Sequence, residues 1–353
     1  MHRTTMKSQK IVVSKQPKII KVNIMNQEVL SDKLKLAEIV HAKKEKDRTI
    51  EKFGVSYKPS KKQRIALIQT GSWGDCINST LMFKPLKEKF ANSTIDVYTS
   101  TYHSSAFHNN PFIDNIIKFN ANRKETALHL MTLIPNKIMK YGYDMLYNPH
   151  PMINPGRWSS EKHPELGENL IYSWVRSLED QNIKVDLPLE TIMELTKEEI
   201  KRVDDFCSPV NMDCRNIIME IHGESGQTFW DHRWTQKVGE YLLDHNTNLF
   251  ISRKHTGDDI ANLKDIARNR IIFAGDLSIR ECAELFNRCD IFFSISSGLS
   301  NACNTNWCKK DIVWVEAVNS LACSSSPIRS KGKIFWHEND VDKFINMLKK
   351  NKI

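Results

Sequence analysis

The chain has 353 residues and a mass of 40.9 kDa, and 40% of its residues are hydrophobic, enough to build the cores of two domains of ordinary size. No apolar run approaches the roughly 20 residues of a membrane span, and no long apolar segment follows the basic N-terminus, so we expect neither a transmembrane helix nor a signal peptide. The eight cysteines contain no C-x-x-C pair, and we therefore expect reduced thiols in a cytoplasmic protein.

The net charge of +9 is unevenly distributed along the chain. Residues 1–64 contain 17 Lys and Arg against 6 Asp and Glu, which gives +11, whereas the rest contains 34 against 36, which gives −2. This difference weakens the case for nucleic-acid binding by the whole protein. We predict that residues 1–62 form a basic, partly helical extension. It is either simply solvated or docks on anionic membrane lipid or on a partner.

From Arg64 onward, the pattern indicates strands that alternate with helices. The first series has short apolar runs, typical of strands, at 64–69, 94–99, 115–119 and 143–148, and helical patterns at 76–90 and 168–178. Such alternation is typical of right-handed βαβ crossovers in a parallel sheet. We therefore predict a Rossmann-like domain over residues 63–190.

A second series follows a connector at 191–214, in which T-K-E-E at 196–199 opens a short helix. Its strands are predicted at 216–222, 247–252, 270–275, 290–295 and 311–316, and its helices at 235–244, 258–268, 279–288 and 299–307. Ser278 and Glu281 have the spacing of a capping box. We predict a second Rossmann-like domain over 215–335 and a C-terminal helix within 336–353. The fold class is thus α/β, with two doubly wound domains.

The first strand leads directly into G-S-W-G-D at 71–75, at the carboxyl end of the strand, where ligands bind in such sheets. Gly71 and Gly74 permit a tight turn and the close approach of another molecule. The motif lacks the G-x-G-x-x-G of a dinucleotide site and the G-K-[ST] of a P-loop. Asp75 could cap the following helix, bind a ligand or act as a base, and the residues alone leave these alternatives open.

Several further stretches follow this motif in a recognisable order: T-I-D-V-Y-T-S at 94–100, N-P-F-I-D-N-I-I at 110–117, Y-D-M-L at 143–146 and G-D-L-S-I-R-E-C-A-E-L-F-N-R-C-D-I-F-F at 275–293. With G-S-W-G-D, their order and spacing resemble those of glycosyltransferase family 9, the heptosyltransferases of lipopolysaccharide core synthesis. The resemblance runs from about Arg64 to about Val318. It implies a GT-B architecture, in which two Rossmann-like domains face each other across a cleft.

The resemblance also implies roles for the first domain, which would hold the acceptor. The family's motif aspartate corresponds to Asp75, which would be the general base in a metal-independent, inverting transfer. Gly71, Ser72 and Gly74 would shape the acceptor side. His150 and Arg157 lie in a long Pro/Gly-containing loop, which could bind an anionic acceptor or could simply pack against the domain.

The second domain would hold the nucleotide-sugar. H-G-E-S-G-Q-T-F-W-D-H-R-W at 222–234 begins with His222 and Gly223 and resembles a family segment whose basic position corresponds to Arg233. Arg233 would neutralise the donor phosphates as the glycosidic bond breaks. The alternative is that Trp234 packs in the core and Arg233 is only a surface charge.

S-I-S-S-G-L-S-N-A at 294–302 departs from the family pattern. The family has D-[ST]-G-x-x-H at a helix N-terminus that receives the donor, whereas this chain has Ser296 for the aspartate and Asn301 for the histidine. Ser297 and Gly298 are retained, so we expect free backbone N–H groups that can bind phosphate. The departure leaves two alternatives open: an active enzyme with a donor of its own, and a protein that binds without turnover.

The sequence therefore predicts a glycosyltransferase that moves a heptose or other hexose-like sugar from a nucleotide-diphosphate donor to a saccharide or lipid-linked acceptor, as in lipopolysaccharide or surface-glycan synthesis. We expect no cofactor and no metal, and we expect the buried cysteines to act as small hydrophobic residues. One alternative is a non-catalytic GT-B protein that binds a saccharide or a partner. Another is binding to nucleic acid or to the inner face of the cell membrane through residues 1–62.

Overall fold

The structure is a computed structural model. It describes residues 62–119, 142–148, 171–186, 189–220, 231–243, 246–252, 270–308, 310, 312–317, 333–336 and 338–353. All of these residues belong to one compact unit, Pro59–Ile353. Residues 1–61 of the predicted extension and the helix predicted at 258–268 lie outside the described residues.

The first sheet has four parallel strands, β1 (Arg64–Ile68), β2 (Thr94–Ser100), β3 (Asn115–Phe119) and β4 (Met145–Tyr147). Their order is β3-β2-β1-β4. The four strands lie where the apolar runs predicted them. The chain moves outward from β1 to β3 and then returns to the other side of β1, which makes the carboxyl end of β1 a switch point of a doubly wound sheet.

Three helices accompany this sheet: α1 (Trp73–Ser79), α2 (Phe83–Lys89) and α3 (Tyr172–Glu179). The single helix predicted at 76–90 is therefore two helices, joined by a 3₁₀ turn at Thr80–Met82. Two local features explain the break. The Thr80 hydroxyl donates to the carbonyl of Ile77 (2.6 Å), and Pro85 has no N–H with which to continue the helical hydrogen bonds.

The second sheet has six parallel strands: β5 (Arg215–Met219), β6 (Thr247–Ile251), β7 (Ile271–Phe273), β8 (Ile291–Ile295), β9 (Val313–Ala317) and β10 (Lys333–Trp336). Their order, β10-β9-β8-β5-β6-β7, is the Rossmann order 3-2-1-4-5-6 when it is counted from β5. The switch point lies between β5 and β8. The sequence predicted five of these strands and missed β10, a short strand at the edge of the sheet.

The helices of the second half are α4 (Lys197–Cys207), α5 (His232–Leu242), α6 (Ile279–Phe286), α7 (Gly298–Ala302) and α8 (Val341–Lys350). The predicted capping box of α6 is confirmed: Ser278 N–H donates to Glu281 Oε2 (2.6 Å), and Glu281 N–H donates to Ser278 Oγ (3.2 Å). Helix α7 is shorter than predicted. After Ala302 the backbone bonds tighten, with the Asn304 N–H donating to the Asn301 carbonyl (3.1 Å), and the Thr305 hydroxyl donates to the Ala302 carbonyl (2.8 Å). Within the described ranges, no helix combines the length and the apolar composition that a membrane span requires.

The buried side chains form two clusters. The first cluster continues from one sheet to the other and includes Ile65 of β1, Ile218 of β5 and Phe292 of β8. The second cluster covers the opposite face of the second sheet and includes Trp234 of α5 and Phe344 of α8. Because the first core is shared, separating the two halves would expose apolar surface at a cost of roughly 25 cal/mol per Å².

Candidate functional site

The residues singled out by the sequence follow the switch points of the two sheets. Gly71–Asp75 leaves the carboxyl end of β1, and Ser296–Ser297 leaves the carboxyl end of β8. Glu220, which is buried, leaves the carboxyl end of β5, the neighbour of β8. In doubly wound sheets such ends form the ligand-binding crevice.

Asp75 is a capping residue of α1. The N–H and the hydroxyl of Ser72 both donate to Asp75 Oδ2, at 2.8 and 2.7 Å, and Asp75 N–H donates to Ser72 Oγ (3.4 Å). The first of the three alternatives for Asp75, helix capping, is therefore confirmed. The same bonds hold the half-buried carboxylate in one orientation at the carboxyl edge of the sheet. Capping and chemistry are compatible, because a base must itself be positioned.

Ser297 is the N-cap of α7, the position that Ser72 occupies in α1. Its Oγ accepts from the N–H groups of Leu299 (3.1 Å) and Ser300 (3.2 Å), and it donates to Glu220 Oε2. The N–H of Ser297 itself donates to Ser300 Oγ (3.0 Å), so the expectation of free N–H groups in this turn is wrong for Ser297. The N–H groups of Leu299 and Ser300, the next two along the helix after Gly298, are likewise occupied by the serine side chain. Ser296 is buried beside this turn.

Asn301, which occupies the place of the family's histidine, directs its amide inward. Its Nδ2 donates to the carbonyl of Ser297 (2.7 Å), within the same short helix. A Cβ atom added to Gly74 would lie 2.7 Å from that nitrogen and 3.5 Å from the Cα of Gly298. A Cβ added to Gly298 would in turn lie 3.7 Å from the backbone nitrogen of Gly74. The predicted acceptor-side and donor-side glycines thus meet. The missing side chain of Gly74 leaves room for Asn301, whereas a Cβ at Gly298 would make only ordinary contacts.

We expect that replacing Gly74 with Ala will destabilise the protein by about 1–3 kcal/mol, although alanine by itself favours a helix. The added methyl group must displace the Asn301 side chain, which breaks its bond to Ser297. Denaturant unfolding of Gly74→Ala, Asn301→Ala and the double variant measures this coupling. The double variant should recover part of the loss. Strictly additive effects, or no loss from Gly74→Ala, would show that the two helices do not meet in this way.

A buried arginine that the sequence did not single out connects the two halves. Arg280 of α6 donates from Nε and Nη2 to the Glu199 carboxylate of α4, at 2.6 and 2.9 Å. Its Nη1 donates to the carbonyls of Ser105 (3.2 Å) and His108 (3.3 Å), in and after a 3₁₀ turn that follows β2. Trp73 of α1 donates from Nε1 to Ser105 Oγ (3.0 Å). Arg280 is therefore linked to the helix that carries Asp75 through one intervening residue.

The pKa values of the groups in this link depend on both their burial and the charge of Arg280. Burial by itself would raise the pKa of Glu199, but the hydrogen bonds and the charge of Arg280 outweigh it and hold that pKa below its ordinary value. Burial, with the charges of Lys118 and Arg280, lowers the pKa of His108. No sequence signal pointed to Arg280, because Glu199 lies 81 residues away and Arg280 reads as an ordinary polar position of an amphipathic helix.

Arg233 and Trp234 have different surroundings. Asp231 caps α5 by accepting from the Trp234 N–H (3.0 Å). The Trp234 indole is fully buried, donates to Asn339 Oδ1 (3.1 Å) and packs against Phe344, so it belongs to the core as the alternative prediction stated. Arg233 is exposed in the first turn of the helix. His150, Arg157, His222 and Gly223 lie outside the described residues.

The thiols of the described residues are mostly buried. Cys282, Cys289, Cys303 and Cys308 lie in the core, as predicted for cysteines that act as small hydrophobic residues. Burial raises the pKa of Cys282 to about 12 and raises those of Cys289 and Cys303 as well. Such thiols are poor nucleophiles and poor metal ligands. Across the described part of the chain, no group of three His, Cys, Asp or Glu side chains is arranged to hold a metal ion.

Two parallel sheets of Rossmann type, with the loops at their carboxyl ends in contact, define the GT-B fold. No protein-family model matches the chain, and no curated protein matches it. Solved structures, in contrast, are similar to this chain. The glycosyl transferase family 9 protein from Veillonella parvula DSM 2008 is similar with a TM-score of 0.61 and 15% identity, over 82% of this chain and 89% of that one.

Two heptosyltransferases from E. coli are similar over the same share of the chain. For ADP-heptose lps heptosyltransferase II, the TM-score is 0.58 at 13% identity, over 82% of this chain and 98% of that one. For WaaC with ADP, it is 0.52 at 9% identity, over 82% and 100%. At these identities the likeness establishes the fold, and the predicted resemblance to family 9 is confirmed at the level of the GT-B fold.

Proposed function

We propose that this chain is a glycosyltransferase that moves a sugar from a nucleotide-diphosphate donor to a saccharide or lipid-linked acceptor. One observation carries the proposal. This chain has a GT-B fold, and in it Gly74 and Gly298 are in direct contact. The residues assigned to the acceptor and those assigned to the donor therefore lie next to the same site. Asp75 is the residue next to Gly74.

The transfer we propose is a single displacement. The Asp75 carboxylate takes the proton of the acceptor hydroxyl, the hydroxyl oxygen forms a bond to the anomeric carbon, and the bond from that carbon to the diphosphate breaks. The diphosphate leaves with the electron pair and a negative charge. Because attack and departure occur on opposite faces, the anomeric configuration inverts. A positioned base typically contributes about 10²–10⁴ to such a rate.

On the donor side, we assign the phosphates to Arg233 and to the turn of Ser296, Ser297, Gly298 and Asn301, with His222 and Gly223. Arg233 is exposed at the start of an 11-residue helix, where the backbone dipole favours an anion. The hydroxyl of Ser297 already donates to Glu220, so a phosphate oxygen would compete with a carboxylate for it. The donor turn therefore suits a donor that also offers hydroxyl groups to Glu220.

Thermal unfolding in the presence of ADP-, GDP- and UDP-sugars tests the proposal. We expect at least one of them to raise the unfolding temperature, because a ligand of the native state stabilises it. Arg233→Ala should weaken the binding of that ligand by about 1.5–3 kcal/mol, since the hydrogen bonds involve charged groups. Arg233→Lys, which keeps the charge, should weaken it by less. The exposed Arg215, at the amino end of β5, is a matched control whose change to Ala should leave binding unaffected. If no nucleotide-sugar stabilises the protein, the donor assignment is wrong.

A second candidate is a GT-B protein that binds a saccharide or a partner without turnover. The observation that favours it is that Asn301, in place of a histidine, donates to its own helix. Nucleotide-sugar binding without any sugar transfer to a saccharide or lipid-linked acceptor would support this candidate over the enzyme.

The cellular role is a further part of the proposal. We place the protein in the cytoplasm, in lipopolysaccharide or surface-glycan synthesis with a heptose or other hexose-like donor, and with peripheral membrane contact through residues 1–62. The balance of +11 over residues 1–64 supports that contact. Flotation with anionic liposomes of the full chain and of a chain lacking residues 1–62 tests it. We expect only the full chain to float, and equal flotation would refute the contact.

A further inference from the structure

Tyr102 is an exposed aromatic residue at the acceptor side of the site. Of the residues that the structure describes, two large hydrophobic side chains are exposed, Tyr102 at 63% and Val313 at 37%. Val313 begins β9 and therefore lies at the amino edge of the second sheet. Tyr102 follows β2 by two residues and therefore lies at the carboxyl edge of the first sheet, where we place the acceptor.

The strand that leads to Tyr102 is the direct neighbour of the strand that leads to the G-S-W-G-D turn. Ile68 of β1 pairs with Tyr98 of β2, and Gln69 N–H donates to the Tyr98 carbonyl (2.9 Å). The segments that follow these two neighbouring strands therefore leave the sheet at the same carboxyl edge. The bond from Trp73 Nε1 to Ser105 Oγ fastens the two segments to each other again (3.0 Å).

The exposed Tyr102 ring contacts the neighbouring residue of its own turn. It packs edge to face against the ring of His103, with centroids 4.8 Å apart and planes at 86°. His103 is buried, and its Nδ1 is hydrogen-bonded to Ser100 Oγ (3.0 Å). The Ser104 hydroxyl donates to the carbonyl of Thr101 (3.0 Å) and closes the turn. A ring that already has a packing partner has less conformational freedom to lose when a ligand covers it.

We propose that Tyr102 is the platform on which a pyranose ring of the acceptor stacks. One face of a pyranose carries C–H groups that are weakly positive, and the face of a tyrosine ring is negative, so the two surfaces attract each other while both exclude water. Stacking on Tyr102 would hold the sugar at the carboxyl edge of the sheet that also carries Asp75, so that one of its hydroxyls can be offered to that carboxylate. This inference rests on the proposed function. It narrows the acceptor to a saccharide and excludes a polypeptide hydroxyl, which has no such ring.

Saturation-transfer NMR without any donor tests the stacking directly. The probes are the methyl pyranosides of glucose, galactose, mannose and a heptose, with glycerol as the control without a ring. We expect at least one pyranoside, and not glycerol, to receive saturation on the C–H protons of one face. Tyr102→Ala should weaken its binding about tenfold, whereas Tyr102→Phe and the distant Val313→Ala should not change it.

Two results would overturn the inference: equal saturation with Tyr102→Ala and with the unchanged protein, or no saturation of any pyranoside. A transfer assay separates this failure from a failure of the proposed function. If sugar transfer occurs and Tyr102→Ala leaves the acceptor KM unchanged, the platform is wrong and the enzyme remains. If pyranosides stack on Tyr102 and no sugar is transferred, Tyr102 binds a saccharide, but the proposed function and with it the acceptor role of Tyr102 are wrong. The expected result is an acceptor KM raised about tenfold with an unchanged donor KM.

Discussion

Replacing Asp75 with Asn is expected to lower the turnover of sugar transfer by about 10²–10⁴-fold, the range that a general base contributes. Asparagine cannot take a proton from the acceptor hydroxyl, but its side-chain oxygen can still accept the Ser72 N–H bond that Asp75 Oδ2 accepts at 2.8 Å. The variant therefore removes the chemistry and keeps the cap. Turnover with a fixed donor and acceptor, together with the unfolding temperature, measures the two effects separately.

Asp75→Ala is the informative companion, because it removes the base and also the half of the capping box in which Asp75 Oδ2 accepts from Ser72, while Ser72 Oγ can still accept the backbone N–H of residue 75. We expect the same loss of turnover and, in addition, a loss of about 1 kcal/mol of stability, which is typical when a capping interaction is deleted. Wild-type turnover in Asp75→Asn would show that Asp75 is a capping residue only, and the catalytic assignment would then be wrong.

Replacing Arg280 with Ala is expected to give the largest loss of stability, about 3 kcal/mol or more. The change leaves the Glu199 carboxylate without its bidentate partner, and it removes a donor from the carbonyls of Ser105, His108 and Glu194. The denaturant midpoint measures the loss. The stability of Arg280→Lys should lie between those of the wild-type protein and Arg280→Ala, since an ammonium group keeps the charge but cannot form the bidentate contact.

A second arginine provides the control for this prediction. Arg202 donates to the Asp276 carbonyl (2.6 Å) and lies 3.4 Å from Glu281, but its side chain is 58% exposed. Because exposed pairs contribute little, Arg202→Ala should cost less than about 1 kcal/mol. Equal losses from the two variants would contradict the view that Arg280 ties the halves together.

The pH dependence of stability gives an independent check on the pair. The pKa of Glu199 is lowered in the folded protein, so its contribution is present above the ordinary carboxyl pKa and is lost as the pH falls through the lowered value. Glu199→Gln should therefore lower stability at neutral pH and flatten the decline toward acid. An unchanged slope of stability against pH on the acid side would contradict the assignment.

Local features of the fold were predictable from local sequence. Strands such as β1 and β8, buried on both faces, show as short apolar runs, and α6 begins where the capping residues Ser278 and Glu281 place it. β10 was missed because four residues at a sheet edge give too little pattern. The break between α1 and α2 was missed although Pro85 was the available signal.

Contacts between distant segments were not predictable in this way. Ser297 and Glu220 are 77 residues apart, and nothing in either segment indicates that the hydroxyl will donate to that carboxylate. The meeting of Gly74 with Gly298 depends on how the two halves pack, as does the burial of Arg280. The motif order of family 9 supplied the expectation that both turns border one site. That motif order did not predict that the side chains of Asp75 and Ser297 form capping hydrogen bonds.

We propose that sugar transfer takes place where α1 and α7 meet, at Gly74 and Gly298. The most direct test is mass spectrometry of a defined mixture of oligosaccharides and lipid-linked saccharides after incubation with ADP-, GDP- and UDP-sugars and the full chain. We predict one acceptor whose mass rises by one sugar, with the anomeric configuration of the donor inverted, and no such product with Asp75→Asn. No product from any donor, or equal product from the wild-type protein and Asp75→Asn, would contradict the account.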